Sequence, residues 1–104
     1  MRLGGKERNF KYTVNSIRQL IKMTGETPSE ILSGFDLTNF DVGVKLVCGA
    51  LLWENPKLTP DIVGEWLEED DGIYAQAVTE AVNALVASFN RQFKVEIEGD
   101  EEKN

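Results

Sequence analysis

The sequence predicts a mainly α protein: about five helices around a central buried helix, with a short N-terminal β-hairpin and a possible C-terminal third strand. Three observations predict it. The stretch from Asn39 to Glu54, NFDVGVKLVCGALLWE, is the most apolar long window, and at helical spacing its side chains fall on two faces. Phe40, Val44, Val47, Cys48 and Leu51 form one face; Val42, Leu46, Ala50 and Trp53 lie roughly opposite, with Asp41 and Lys45 between them. A helix apolar on two sides is a buried helix. Second, helix-start residues recur before periodic apolar stretches, and Gly25 and Asn55-Pro56 follow two of them. Third, 104 residues suffice for one core that buries about 65% of the unfolded chain's surface without metals or disulfides.

Taken in order, Met1–Leu3 and Arg8–Tyr12 read as the two strands of the hairpin, with Gly4-Gly5-Lys6-Glu7 between them as the turn. Two strands are marginal alone and must pack on the helices or find a third. Thr13 is placed as the cap of a helix over Val14–Met23, whose stripe of Val14, Ile17, Leu20 and Ile21 faces inward, and Gly25 ends it. Thr27-Pro28-Ser29-Glu30 combines a cap, a first-position proline and a capping box, starting a short helix over Pro28–Ser33. Thr38 is placed as the cap of the central helix, and Asp41 in its first turn suits the helix dipole. Thr59-Pro60-Asp61 starts a fourth helix with Ile62, Val63, Trp66 and Leu67 on one face. Asp71 is a candidate cap for the last helix, Ile73–Arg91, with Tyr74, Val78, Ala81, Val82, Leu85 and Phe89 in one stripe. Phe93, Val95 and Ile97 then alternate with charged residues in a strand pattern. Residues 1–98 are expected to form one domain, and 99–104 a disordered acidic tail.

Composition narrows the function classes. The formal net charge is −7, unevenly spread: residues 1–25 hold six basic residues and one acid, and the remainder five basic residues and seventeen acids. A basic end and an acidic body favour head-to-tail contact between copies or pairing across the fold. Histidine is absent, which removes imidazole acid–base chemistry, Ser–His pairs and histidine metal sites. Glu68-Glu69-Asp70-Asp71-Gly72 fails as a calcium loop, because Leu67 and Val78 stand at its first and twelfth positions. Gly4-Gly5-Lys6 lacks the spacing of a phosphate loop. The single Cys48, mid-helix on an apolar face, is a small core residue. We expect no enzyme, cofactor, metal or nucleic-acid partner. No run of about 20 apolar residues spans a membrane and the N-terminus lacks a signal core, so a cytoplasmic protein is expected.

What remains is surplus apolar surface. The helices cannot easily cover both faces of the central one, and exposed tryptophans are common interface anchors. Val42, Leu46 and Trp53, with Ala50 on the same face and Trp66 nearby, are therefore the candidate partner-binding residues.

The order of elements carries a family resemblance. A hairpin around Gly5-Lys6 leads into Phe10-x-Tyr12-Thr13, then NSIRQLIKMTG, then LTNFDVGVKLVCGALLWENPKLTPDIVGEWLEED. Over about residues 3–90 this resembles the tail assembly chaperones of long-tailed bacteriophages and prophages, small acidic helical proteins. The resemblance implies binding to the tape measure protein while tail tube protein is recruited, and homo-oligomerisation. It also implies action in the host cytoplasm, absence from the mature virion and, in many members, a longer frameshifted product. It supplies no binding motif that maps position by position. The alternative is a small acidic phage or prophage adaptor or inhibitor that binds one host protein; a retained virion component is a third.

Overall fold

The computed structural model describes residues 1–93. It is mainly helical with an N-terminal hairpin: β1 (Arg2–Leu3), β2 (Lys6–Glu7), α1 (Val14–Thr24), α2 (Pro28–Gly34), α3 (Phe40–Leu51), α4 (Pro60–Leu67) and α5 (Ile73–Gln92). Among the described residues, no helix is long and apolar enough to cross a membrane. Most of the anticipated third strand and the whole acidic tail lie outside the described residues; Phe93 itself ends α5.

The hairpin is tighter than the sequence suggested. Arg2 pairs with Glu7 and Leu3 with Lys6, leaving only Gly4 and Gly5 in the turn, both at positive φ (61° and 78°). Two consecutive left-handed residues give the hairpin turn whose twist matches its strands, so pairing resumes at Lys6. Arg8–Tyr12, anticipated as the second strand, is instead an irregular strap along α3. Lys11 N–H donates to the Ala50 carbonyl at 2.9 Å, and the Tyr12 hydroxyl to that of Leu46 at 2.5 Å.

Most helix starts follow the sequence. Thr13 and Ser16 form a reciprocal box, Thr27 and Glu30 another, and Thr59 accepts from Ile62 N–H. Two starts differ. Thr38 spends its amide and hydroxyl on the Asp36 carboxylate, both at 2.8 Å, so Asn39 caps α3 by accepting from Val42 N–H. Helix α5 begins after Gly72 with no side-chain cap, so Asp71 does not serve as one.

Helix α3 runs through the middle, in contact with α1, α4 and α5. Its last six residues, Leu46–Leu51, are all buried, which is the two-faced burial the apolar pattern implied. The first turn departs from it. Phe40 is 61% exposed, because a side chain at the first helical position leans beyond the helix start, where the Tyr74 ring lies 4.7 Å away. Helix α1 is also rotated from its anticipated stripe. Leu20 is fully buried, but Val14 and Ile21 are exposed and Ser16 takes a core position. Ser16 can be buried because the Thr13 box satisfies its hydroxyl.

Candidate interaction surfaces

The four residues singled out in the sequence occupy different environments. Leu46 is fully buried, its carbonyl receiving the Tyr12 hydroxyl, and Ala50 is equally buried beneath the strap. Val42 is half-buried against the core. Trp66 lies under the hairpin: a methyl group at Gly4 would run into its ring, and the Arg8 guanidinium sits 4.3 Å from its centroid. Only Trp53 is exposed, at 39%. The structure thus separates these side chains; strap and α1 cover the middle of the face, and Trp53 emerges at its end.

Trp53 is nevertheless held. It sits in the turn after α3, and its indole N–H donates to the Asn9 carbonyl at 2.8 Å. Lys11 Nζ lies 5.4 Å from its ring centroid, a cation over a π face. One side of the ring opens on a groove of about 640 Å³, with Met23, Leu52 and Leu58 as its apolar lining and Asn15 and Gln19 of α1 at its polar edge. An aromatic plane fixed by a hydrogen bond beside an apolar trough is suited to receive a side chain or helix of another protein, because little rotamer entropy remains to be lost on contact.

A second groove, of about 620 Å³, lies on the other flank of α1 between the start of α2 and the end of α5. Val14, Ile17, Pro28, Phe89 and Phe93 line it, and Val14 and Phe93 are 55% and 53% exposed. Sequence reasoning placed Val14 and Ile17 in the core and missed this groove. The available signal was the polar Ser16 and Thr13 at the spacing of Leu20, which offered a competing inward face once their mutual hydrogen bonds were considered.

The titratable groups point to structure. Burial holds the Tyr12 phenol well above its ordinary value and pushes the Cys48 thiol up to about 11. Burial and, second, the nearby Asp36 charge raise Tyr74, whose hydroxyl donates to the Leu37 carbonyl at 2.7 Å. The Thr27 amide and hydroxyl lower Glu30, and those of Thr38 lower Asp36. Among the described residues, no three His, Cys, Asp or Glu side chains are grouped to hold a metal ion. No protein-family model, curated protein or solved structure matches the chain.

Proposed function

We propose that this chain is a tail assembly chaperone of the long-tailed phage type, which binds the tape measure protein in the host cytoplasm during assembly with tail tube protein and is absent from the finished particle. The observation that carries the reading is Trp53, exposed yet fixed through Asn9 beside an apolar groove, just after the central helix and within the stretch whose sequence resembles that family. A chaperone for an elongated helical client needs an apolar trough and a charge that keeps the loaded complex soluble; a net charge of −7 supplies the second. Reversible self-association belongs to the same reading, as does a non-enzymatic role.

Co-expression with the tape measure protein, followed by affinity capture, tests it. Trp53→Ala should fold normally and lose most of the captured client, whereas Trp66→Ala should first lower stability by loosening the hairpin. Undiminished capture by a folded Trp53→Ala variant overturns the site. Failure of the wild-type chain to capture the client, with stoichiometric binding of one host protein instead, overturns the chaperone in favour of an adaptor.

A further inference from the structure

The groove beside the start of α1 lies where the described chain ends. Its apolar lining is Val14, Ile17, Pro28, Phe89 and Phe93, with Ser29 and Gln92 as the polar part. Val14 and Phe93 are each more than half exposed, whereas Ile17 packs against the core. Phe89 and Phe93 form a tilted aromatic pair, ring centroids 6.4 Å apart. Phe93 both lines the groove and closes α5. Its N–H still donates to the Phe89 carbonyl at 3.0 Å, but its φ of −106° and ψ of 9° leave the helical path. The chain therefore departs from α5 at the rim of the groove.

The sequence KVEIEGDEEKN follows Phe93 and lies outside the described residues. It carries one apolar pattern: Val95 and Ile97 alternate with Lys94, Glu96 and Glu98. In an extended backbone that alternation puts Val95 and Ile97 on the same side as Phe93 and the charged residues on the other. Ile97, four residues on, stands at most about 13 Å from Phe93. Both aliphatic side chains are thus within reach of a groove that Phe93 itself lines.

We propose that residues 94–98 turn back along this groove and cover it, Val95 and Ile97 seating against Val14, Ile17 and Phe93 while Lys94, Glu96 and Glu98 stay in water. The tether fixes the occupant. Held two to four residues from Phe93, the two side chains meet the groove at an effective concentration on the order of millimolar, about a thousandfold above a second copy at micromolar concentration. An unlinked peptide or another copy must bind correspondingly more tightly to take their place. Covering the groove removes four apolar side chains from water together, since Val14 and Phe93 are uncovered on one side of the contact and Val95 and Ile97 complete it on the other. Ser29 and Gln92 offer a hydroxyl and an amide to the polar backbone of the incoming segment. The consequence is that the two flanks of α1 differ in use. The Val14 groove is masked within each chain, and the Trp53 groove remains the open trough. This goes beyond the functional reading above and does not rest on it, because the cover needs only the chain's own residues.

Methyl NMR of the full chain, with Ile and Val methyl groups labelled, tests it. Cross-relaxation should connect the Ile97 methyl to those of Val14 and Ile17, and mixing labelled with unlabelled chains should show that these contacts arise within one chain. Ile97→Asp, which alters no residue of the described fold, should abolish them and shift the Val14 and Ile17 methyl signals. It should also raise the emission of an anilinonaphthalene sulfonate dye several-fold as the groove opens, the Trp53 groove contributing equally to both chains. Glu98→Ala, on the water side, should leave contacts and emission as they are.

Circular dichroism checks that both variants fold, and the wild-type contacts decide the matter alone if Ile97→Asp does not. Absence of contacts from Ile97 to Val14 and Ile17 overturns the proposal. So do contacts found only between chains, which would make a second copy the occupant. Unchanged dye emission and unchanged Val14 and Ile17 signals in folded Ile97→Asp overturn it as well. An effect of Glu98→Ala equal to that of Ile97→Asp would assign the cover to charge instead of the Val95 and Ile97 face, and overturns it in the same way.

Discussion

Gly49 of α3 lies against the Tyr12 hydroxyl: a methyl group on its Cα would stand 2.6 Å from Oη and 3.0 Å from the ring. Tyr12 is completely buried; its hydroxyl donates to the Leu46 carbonyl, and its own carbonyl accepts from the Arg91 guanidinium at 2.6 Å. Strap, central helix and the end of α5 therefore meet at one tyrosine. A glycine inside a helix costs about 0.5–1 kcal/mol relative to alanine. The close approach it permits offsets that cost here.

Gly49→Ala should consequently destabilise the protein by about 2–3 kcal/mol, because the phenol is enclosed and cannot retreat, despite the gain in helix propensity. Gly64, inside α4 with open space for 4 Å around the point a methyl carbon would occupy, is the matched control. Gly64→Ala should stabilise by up to about 1 kcal/mol. Urea unfolding of the two variants checks the opposite signs. Gly43 is intermediate: the Tyr74 hydroxyl would clash with a methyl there, but that ring is partly exposed and can swing outward, so Gly43→Ala should cost less than Gly49→Ala.

The hairpin depends on a similar contact. Gly4 has both a positive φ and the Trp66 ring directly above it, whereas Gly5 has the positive φ and open space. Gly5→Ala should cost about 1–2 kcal/mol from backbone strain alone. Gly4→Ala should cost clearly more and also shift Trp66 fluorescence to the red as the hairpin lifts. Equal destabilisation by both, with unchanged emission, would mean that Trp66 is not held by the hairpin.

Alkaline titration reports on the core. Burial raises both Tyr12 and Cys48, so the folded state keeps protons that the unfolded state releases. That stability is fully present below the ordinary thiol value of 9.0 and is lost as pH rises, for Cys48 between 9.0 and about 11. Cys48→Ala should flatten this part of the stability profile, and in the wild type the thiol should react with disulfide reagents only on unfolding. Tyr12→Phe should remove a phenol absorbance step that otherwise appears together with global unfolding.

The legible parts of the fold were those encoded locally. Thr13, Thr27-Pro28 and Thr59-Pro60 announce helix starts because cap chemistry is settled within four residues. The buried run Leu46–Leu51 was visible because a helix core needs apolar residues on successive turns. What escaped was decided between segments. Nothing local says that the Asp36 carboxylate will engage Thr38 and hand the cap to Asn39, or that Gly43 and Gly49 mark the seats of tyrosines 31 and 37 residues away. The candidate surface failed to appear as one face for the same reason: strap 9–12, read as a strand, lies over Ala50 and ties down Trp53. Of the residues proposed from sequence, Trp53 is the exposed one, Val42 and Trp66 are half-buried, and Leu46 is enclosed in the core.

Acid stability should expose the α2 capping box. Glu30 is exposed, but the Thr27 amide donates to its carboxylate at 2.9 Å and, with the Thr27 hydroxyl, holds it below the ordinary value of 4.5. A carboxyl group depressed in the folded state adds stability above its unfolded value and loses it as pH falls through the folded one. Glu30→Ala should therefore lower the melting temperature at pH 7, with the gap to wild type closing as pH falls below 4.5. Glu30→Gln keeps an oxygen for the Thr27 amide without the charge, so it should sit between the two at pH 7 and show a flatter acid limb than wild type. Asp36, lowered in the same direction by Thr38, remains in every variant and sets a common background slope. Thermal unfolding followed by circular dichroism across this range checks the prediction. A gap that stays constant as pH falls from 7 through the acid range would assign the Glu30 contribution to helix propensity, which does not titrate, and remove the box as its source.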